Sequence, residues 1–301
     1  MSKKKVVMTQ ERRKKNRVYN ILIAVFALIF IVSLAVLGCW LYDYYSASQF
    51  VGKIQEMRQQ IPTQEEIDAM PEGAEDQFAA IYAKYPDFRG WITIDGTKID
   101  YPVVQGKDND FYLRRNMDGE YHRLGTVFTD YRCQFGPDAF SDNTVVYGHS
   151  AVNGSYFRDL LKYKKLDYYK EHPVIQFDTI YGEQEWVIIG AFMSGIYPSQ
   201  GEMFEYHNFI ETGSEDEFNA YVEEVARRSY ITTDIPVSYG DNLLTLSTCD
   251  YEFEDSRFVV VAKRLEEGED GAAMAQSAVE HPDRFMPDAW YEATGRENPN
   301  Q

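Results

Sequence analysis

The sequence predicts a mostly β fold: an antiparallel or mixed barrel with helices before it, a helical insert within it and one transmembrane helix ahead of both. Three observations carry this. Eight short runs rich in β-branched and aromatic residues lie between residues 91 and 263, separated by Gly, Asp, Asn and Pro. A 22-residue stretch from Ile21 to Tyr42 has no charged side chain. Residues 214–228 carry an apolar stripe at helical spacing, upstream of the last two runs.

The N-terminal stretch reads as an anchor. At about 1.5 Å per residue it crosses a bilayer core of roughly 30 Å. Eight basic residues precede it (Lys3, Lys4, Lys5, Arg12, Arg13, Lys14, Lys15 and Arg17), against the single acid Glu11. Positive charge stays in the cytoplasm, so residues 1–20 are expected inside and the body outside. A cleaved signal peptide has a shorter apolar core and a small-residue cleavage site, and neither is found here. Val36-Leu37-Gly38-Cys39 loosely resembles a lipoprotein cleavage box. Leu37 stands where a small residue is usual, and Trp40-Leu41-Tyr42 continues the apolar run. An uncleaved helix over 21–42 is the favoured reading, with Cys39 a small apolar membrane residue.

Residues 43–73 follow as a helical stalk, with Phe50, Ile54, Met57 and Ile61 at steps of three and four and breaks near Pro62 and Pro71. Asp76–Tyr85 reads as an amphipathic helix ending before Pro86. The β runs are then Trp91–Ile94, Ile99–Val104, Gly125–Thr129, Thr144–Tyr147, Val174–Phe177, Glu185–Met193, Asn242–Thr248 and Phe258–Lys263. Helical inserts are expected near Tyr156–Tyr169 and over Ser214–Arg228, where Phe218, Tyr221, Val222 and Val225 face a core. Residues 266–301 hold nine acids and two arginines with little periodicity. They read as an acidic, solvated tail able to fold back through Phe285, Trp290 and Tyr291.

Composition removes whole classes of function. With 44% hydrophobic and 26% charged residues the chain is neither disordered throughout nor collagen-like. Outside the first 17 residues, 22 basic side chains face 47 acidic ones, a balance that repels a phosphate backbone and excludes nucleic acid as a partner. Three cysteines, Cys39, Cys133 and Cys249, are too few for a disulfide scaffold. No Cys or His pair has ligand spacing, so neither a metal nor another cofactor is expected.

The chemistry-bearing residues lie at strand ends. A cysteine nucleophile needs a thiolate, a proton partner and a group that stabilises an oxyanion. In Asn242-Leu-Leu-Thr-Leu-Ser-Thr-Cys249, alternation sends Leu244, Leu246 and Thr248 to one face and Thr245, Ser247 and Cys249 to the other. Arg257 opens the next run, and a hairpin return brings it back beside the sulfur. In Thr144-Val-Val-Tyr-Gly-His149, a histidine leaves an apolar strand after a glycine that permits a sharp exit. Taken singly, each has an ordinary explanation: a structural thiol, a hydrogen-bonded imidazole, and a guanidinium paired with Glu252, Glu254 or Asp255. His122, His172, His207 and His281 lack a comparable context, and Cys133 reads as a free thiol in a turn. The acids Asp250, Glu252, Glu254 and Asp255 are expected to disfavour a thiolate and to favour imidazolium, which predicts slow turnover.

Thr245-Leu-Ser-Thr-Cys249, with Arg257 downstream and Tyr147-Gly148-His149 upstream, resembles the sortases, membrane-anchored transpeptidases with the signature T-L-x-T-C. Gly90-Trp-Ile-Thr-Ile-Asp-Gly96, Ile99-Asp-Tyr-Pro-Val-Val-Gln105, Asp108-Asn-Asp-Phe-Tyr-Leu113 and Phe128-Thr-Asp-Tyr-Arg132 look like the class B branch, as does the insert before the cysteine strand. The resemblance implies an eight-stranded barrel in a catalytic domain over 74–265. It further implies Cys249 as nucleophile, His149 as general acid/base and Arg257 as the group that orients substrate or stabilises the oxyanion. The implied substrates are surface proteins or pilins with an LPxTG- or NPxTN-like motif, cut after threonine and passed to an amine of a cell-wall precursor or pilin lysine. Ser247 and Tyr197 are expected to line the peptide groove. Cys133 departs from the asparagine expected after Asp-Tyr-Arg, and the tail has no counterpart in the pattern.

Other classes fit less well. The L,D-transpeptidases use S-x-G-C-x-R, but Ser247-Thr248-Cys249 lacks the glycine and Arg257 is too distant. Papain-like hydrolases place Cys before His, the reverse of this order. A tethered, non-enzymatic binding or scaffold module explains the anchor and barrel, yet makes the Cys, His and Arg combination accidental.

Overall fold

The computed structural model describes residues 10–137 and 140–299; Lys3, Lys4 and Lys5 of the basic cluster lie outside the described residues. The chain divides into two units, Met1–Phe50 and Val51–Gln301. Helix α1 starts in the first unit at Gln10 and runs to Arg58. Within it Lys15–Tyr42, 28 residues that contain an 18-residue window of mean hydropathy 3.1, is long and apolar enough to cross a membrane.

In the second unit the stalk is shorter than its periodicity suggests. Ile54 is fully buried, but α1 stops at Arg58 and Ile61 is 94% exposed. Pro62 explains this, because the residue before a proline is pushed out of the α region. Helix α2 (Gln64–Asp68) restarts at a capping box in which Thr63 and Glu66 satisfy each other's backbone N–H groups. A 3-10 turn at Asp76–Phe78 leads into α3 (Ala79–Lys84) just before Pro86. Arg58 ties the end of α1 to the barrel by a 2.9 Å ion pair with Asp178 and by lying over the Trp91 ring.

The strands are β1 (Phe88–Thr93), β2 (Asp100–Gln105), β3 (Val127–Thr129), β4 (Asn143–Tyr147), β5 (Val174–Thr179), β6 (Glu185–Ser194), β7 (Ile231–Thr232), β8 (Leu243–Cys249), β9 (Arg257–Arg264) and β10 (Val279–Glu280). Eight of them, the eight runs read from sequence, close into one barrel in the order β1-β2-β3-β4-β8-β9-β6-β5. The barrel is mixed: β2/β3 and β4/β8 are parallel, the other pairs antiparallel. Closure leaves the barrel sheet itself without an open edge. At Gly90 any side-chain carbon would collide with the backbone of Asp178 and Thr179 on β5, so the tight β1/β5 approach requires glycine.

Period-two alternation builds two cores. Phe258, Val260 and Ala262 of β9 join Leu244, Leu246, Ile92 and Val146 in the barrel interior. Val259 and Val261 point outward with Val187, Phe192 and Leu243. Between β4 and β5 lie a 3-10 helix (Phe157–Lys164) and α4 (Leu166–Glu171). Helix α5 (Glu215–Arg228) is capped by Ser214 and covers the outer core with Phe218, Tyr221 and Val225.

The acidic C-terminal segment is packed where composition suggested a solvated tail. It contributes β10, which pairs with β7, and the short helices α6 (Gly271–Met274) and α7 (Asp288–Thr294). Met286 and Trp290 are buried in the interior cluster, and the Phe285 ring is flanked by the guanidinium groups of Arg227 and Arg228 at 4.2 and 4.3 Å. A few large apolar anchors suffice, which an average over 36 residues hides.

Candidate active site

The outward row of β8 is a line of polar side chains covered for most of its length. Thr245 Oγ1 donates to Asn143 Oδ1 at 2.8 Å and lies 3.0 Å from the Tyr221 hydroxyl. Two residues on, Ser247 Oγ shares a 2.8 Å hydrogen bond with the Tyr206 hydroxyl. Both are buried beneath the segment between β6 and β7. Cys249, next in the row, is half-buried, since the strand ends where the cover does. Ser247 is thus 3% exposed, its hydroxyl taken up by Tyr206, and is buried, against the expectation that it lines an accessible peptide groove.

Two registers place Arg257 and His149 at the Cys249 end of β8. Arg257 opens β9 directly opposite Cys249, and on its other side it pairs with Ser194 of β6. Strand β4 runs parallel to β8 with Tyr147 beside Ser247, and the Gly148 N–H donates to the Ser247 carbonyl at 3.1 Å. Thr248 Oγ1 donates to the Gly148 carbonyl at 2.7 Å, so His149 leaves the barrel at the level of Cys249. Gly148 does not adopt a positive φ. It is glycine because a side-chain carbon there would sit 2.6 Å from the Phe157 ring, a packing demand in place of the expected sharp turn.

His149 Nε2–H donates to the Leu113 carbonyl at 3.0 Å. In the neutral ring that bond leaves Nδ1 as the acceptor nitrogen. Burial pushes His149 below the usual imidazole range; the Leu113 carbonyl opposes this, while Arg114, Arg257 and His122 add to it. The acidic loop was expected to favour imidazolium. Burial and two guanidinium groups outweigh it.

The loop's own charges explain why. Lys164 Nζ lies 2.6 Å from both Asp250 Oδ2 and Glu252 Oε1, and Glu252 Oε2 accepts from the Trp290 indole N–H at 2.8 Å. Burial acts against ionisation of Glu252, but Lys164 and Trp290 hold its carboxyl below the usual range. Arg257 Nη1 donates instead to the Asp255 and Ser256 carbonyls, each at 3.1 Å. Among the described residues no carboxylate forms an ion pair with it.

Tyr197 is about half exposed and begins the turn Pro198–Gln200. Gln200 Oε1 accepts from the Ile196 and Tyr197 N–H groups, and its Nε2 donates to the Glu254 carbonyl at 2.6 Å, joining this segment to the loop between β8 and β9. Cys133 is remote in role: it is 5% exposed, accepts from the Val145 N–H at 3.5 Å, and burial pushes its thiol up to about 11. The Leu113 carbonyl, Tyr206, Lys164 and Gln200 escape a reading of sequence. A backbone carbonyl carries no residue signal, and the other three act from distant segments.

A Sortase domain family model matches residues 92–265, a span that includes His149, Cys249 and Arg257. The chain belongs to the sortase family. It is 37% identical over 182 residues to Sortase B of Listeria monocytogenes, covering 59% of this chain and 69% of that protein. Sortase B from Bacillus anthracis, solved in complex with AAEK1, superposes with a TM-score of 0.64 at 30% identity, covering 75% of this chain and all of that one. A Staphylococcus aureus sortase B–substrate complex gives 0.62 at 28% identity, with 74% and 100% covered. This class B sortase is therefore a cysteine transpeptidase, and the reading as a non-enzymatic scaffold falls. The matched span ends at 265, before α6, β10 and α7.

Proposed function

We propose that Cys249 is the nucleophile, His149 the proton carrier and Arg257 the oxyanion partner of a transpeptidase that cuts a sorting motif after its threonine. The motif is of the LPxTG or NPxTN kind. The observation that carries this reading is the shared register of β4, β8 and β9, which delivers thiol, imidazole and guanidinium to one rim of the barrel. That the Staphylococcus aureus relative was solved as a substrate complex supports it.

Residue chemistry gives each step. His149 Nδ1 takes the Cys249 proton, and the thiolate adds to the threonine carbonyl carbon. The oxyanion forms against Arg257, whose planar group can offer parallel N–H donors. Collapse breaks the peptide bond, the departing amine takes the proton from His149, and a thioester remains on Cys249. An incoming amine gives its proton to His149 and attacks the thioester. The new amide leaves and the thiol regains its proton. Tyr197 lines the groove, while Ser247 supports the wall from beneath through Tyr206.

The acceptor is an amine of a cell-wall precursor or a pilin lysine, and the donors are surface proteins or pilins. Lys15–Tyr42 anchors the chain as a single span, N-terminus in the cytoplasm and catalytic domain outside. Its apolar side chains are exposed along the helix, a surface suited to lipid. The test is to incubate the protein with quenched LPxTG and NPxTN peptides, with and without triglycine or a lysine-bearing peptide. Cleavage after threonine with an amine-dependent ligated product is expected. No cleavage of either motif would contradict the reading.

A further inference from the structure

We propose that the C-terminal segment is a clasp that positions the loop between β8 and β9, with Trp290 acting through Glu252 on the placement of Arg257. This rests on the assignment of Cys249 and Arg257 given above. The loop has seven residues, Asp250–Ser256, and both its ends carry site residues. Its inner turn is set by Asp250 N–H to the Ser256 carbonyl at 3.0 Å and by Ser256 Oγ to the Phe253 carbonyl at 3.0 Å. Asp255, two residues before Arg257, has φ +55°, a left-handed conformation that a non-glycine residue keeps only when its surroundings hold it.

The surroundings that hold it run to the C-terminal segment. One oxygen of Glu252 accepts from Trp290 and the other from Lys164, so a single carboxylate joins α7, the loop and the 3-10 helix after β4. Phe253 is 7% exposed and shares an apolar cluster with Met286 and Trp290. The second hold is Gln200 on the Glu254 carbonyl. The residue after it, Gly201, has φ +113° and lies so close to α7 that a side-chain carbon there would come within 2.8 Å of the Asp288 nitrogen. Both holds on the loop therefore meet a segment that lies wholly beyond the 92–265 family match. Trp290 touches the loop through an N–H donor that a phenylalanine lacks, which separates its positioning effect from its packing.

The experiment compares the full chain with Trp290→Phe, Glu252→Ala, Arg257→Lys and the Trp290→Phe/Arg257→Lys double variant, on one cleavable sorting peptide well below the melting temperature. Trp290→Phe keeps an aromatic ring in the interior cluster while removing the donor, so its thermal midpoint is expected within a few degrees of the parent. Its kcat is expected to fall about three- to tenfold with KM changed less than twofold. In the Arg257→Lys background the same change should cost less than twofold, because the group it positions is already lost. Glu252→Ala cuts the link from an exposed loop position and is expected to repeat the kcat loss, which keeps the test valid should Trp290→Phe misfold. Parent kcat in the folded single variants, or a full multiplicative loss in the double variant, would overturn the clasp. Cleavage that survives Cys249→Ala would overturn the underlying site assignment instead.

Discussion

Cys249 and Arg257 are the last residue of β8 and the first of β9, and they face each other as an antiparallel pair. The relationship fixes the backbone of both before any side chain is considered. The Arg257 guanidinium donates to the Asp255 and Ser256 carbonyls, while Asp250 of the same loop is held by Lys164 and Glu252 by Lys164 and Trp290. An arginine paired across from the proposed nucleophile, with no carboxylate in ion-pair contact among the described residues, suits the role proposed for it, meeting charge that develops during reaction.

Arg257→Lys is expected to lower kcat about a hundredfold, roughly 2.7 kcal/mol, with a much smaller change in KM. An ammonium is a point charge and cannot offer two parallel donors. The thermal midpoint should stay near the parent, since among the described residues the side-chain hydrogen bonds of Arg257 go to carbonyls of its own loop. Near-parent kcat would make Arg257 structural and turn attention to backbone N–H groups near Cys249.

The pH profile follows from the direction of the His149 shift. Burial lowers the imidazole from its ordinary value of about 6.5, so the ring is neutral at neutral pH and takes a proton only in more acid solution. The acid limb of kcat/KM reports the lower of the two values of the thiol and imidazole pair, whichever microstate reacts. Its midpoint should therefore fall below 6.5. A limb centred above 6.5 would contradict the burial argument.

Lys164 is the stability partner of the loop. Its ammonium meets Asp250, whose side chain is 5% exposed, so Lys164→Met leaves a buried carboxylate without its cation. The expected loss is about 2 kcal/mol, equivalent to a fall in the thermal midpoint of roughly 4–8 °C for a domain of this size. Differential scanning calorimetry reads this directly, and an unchanged midpoint would reduce the pair to an ordinary surface contact.

The barrel was legible because each strand is a short β-rich run bounded by turn residues, and all eight survive into the closed order. The placement of the candidate site residues was legible for a similar reason: Thr245 to Cys249 alternates strictly, and Arg257 opens the next run. What sequence concealed depends on single distant contacts. Ser247 sits on the same face as Cys249, yet Tyr206 covers it. Glu252 reads as a charge that burdens the thiol until Lys164 and Trp290 are seen to hold it. The segment after Glu266 looks solvated by composition, although Met286 and Trp290 are core residues. Ile61 fits the stalk periodicity but falls after the helix that Pro62 ends.

Topology is checked on intact protoplasts. On the proposed topology, with the N-terminus inside and Lys15–Tyr42 as the span, added protease should remove residues 43–301 while leaving a short protected fragment. Survival of the full-length chain would reverse the orientation.

The most direct test of the catalytic reading is mass spectrometry of the protein quenched during turnover of a sorting peptide without added amine. The account predicts a mass increase equal to the fragment ending in threonine, located on the Cys249 peptide and lost when an amine acceptor is supplied. An adduct on Cys133, or cleavage with no adduct on Cys249 at any time, would contradict it.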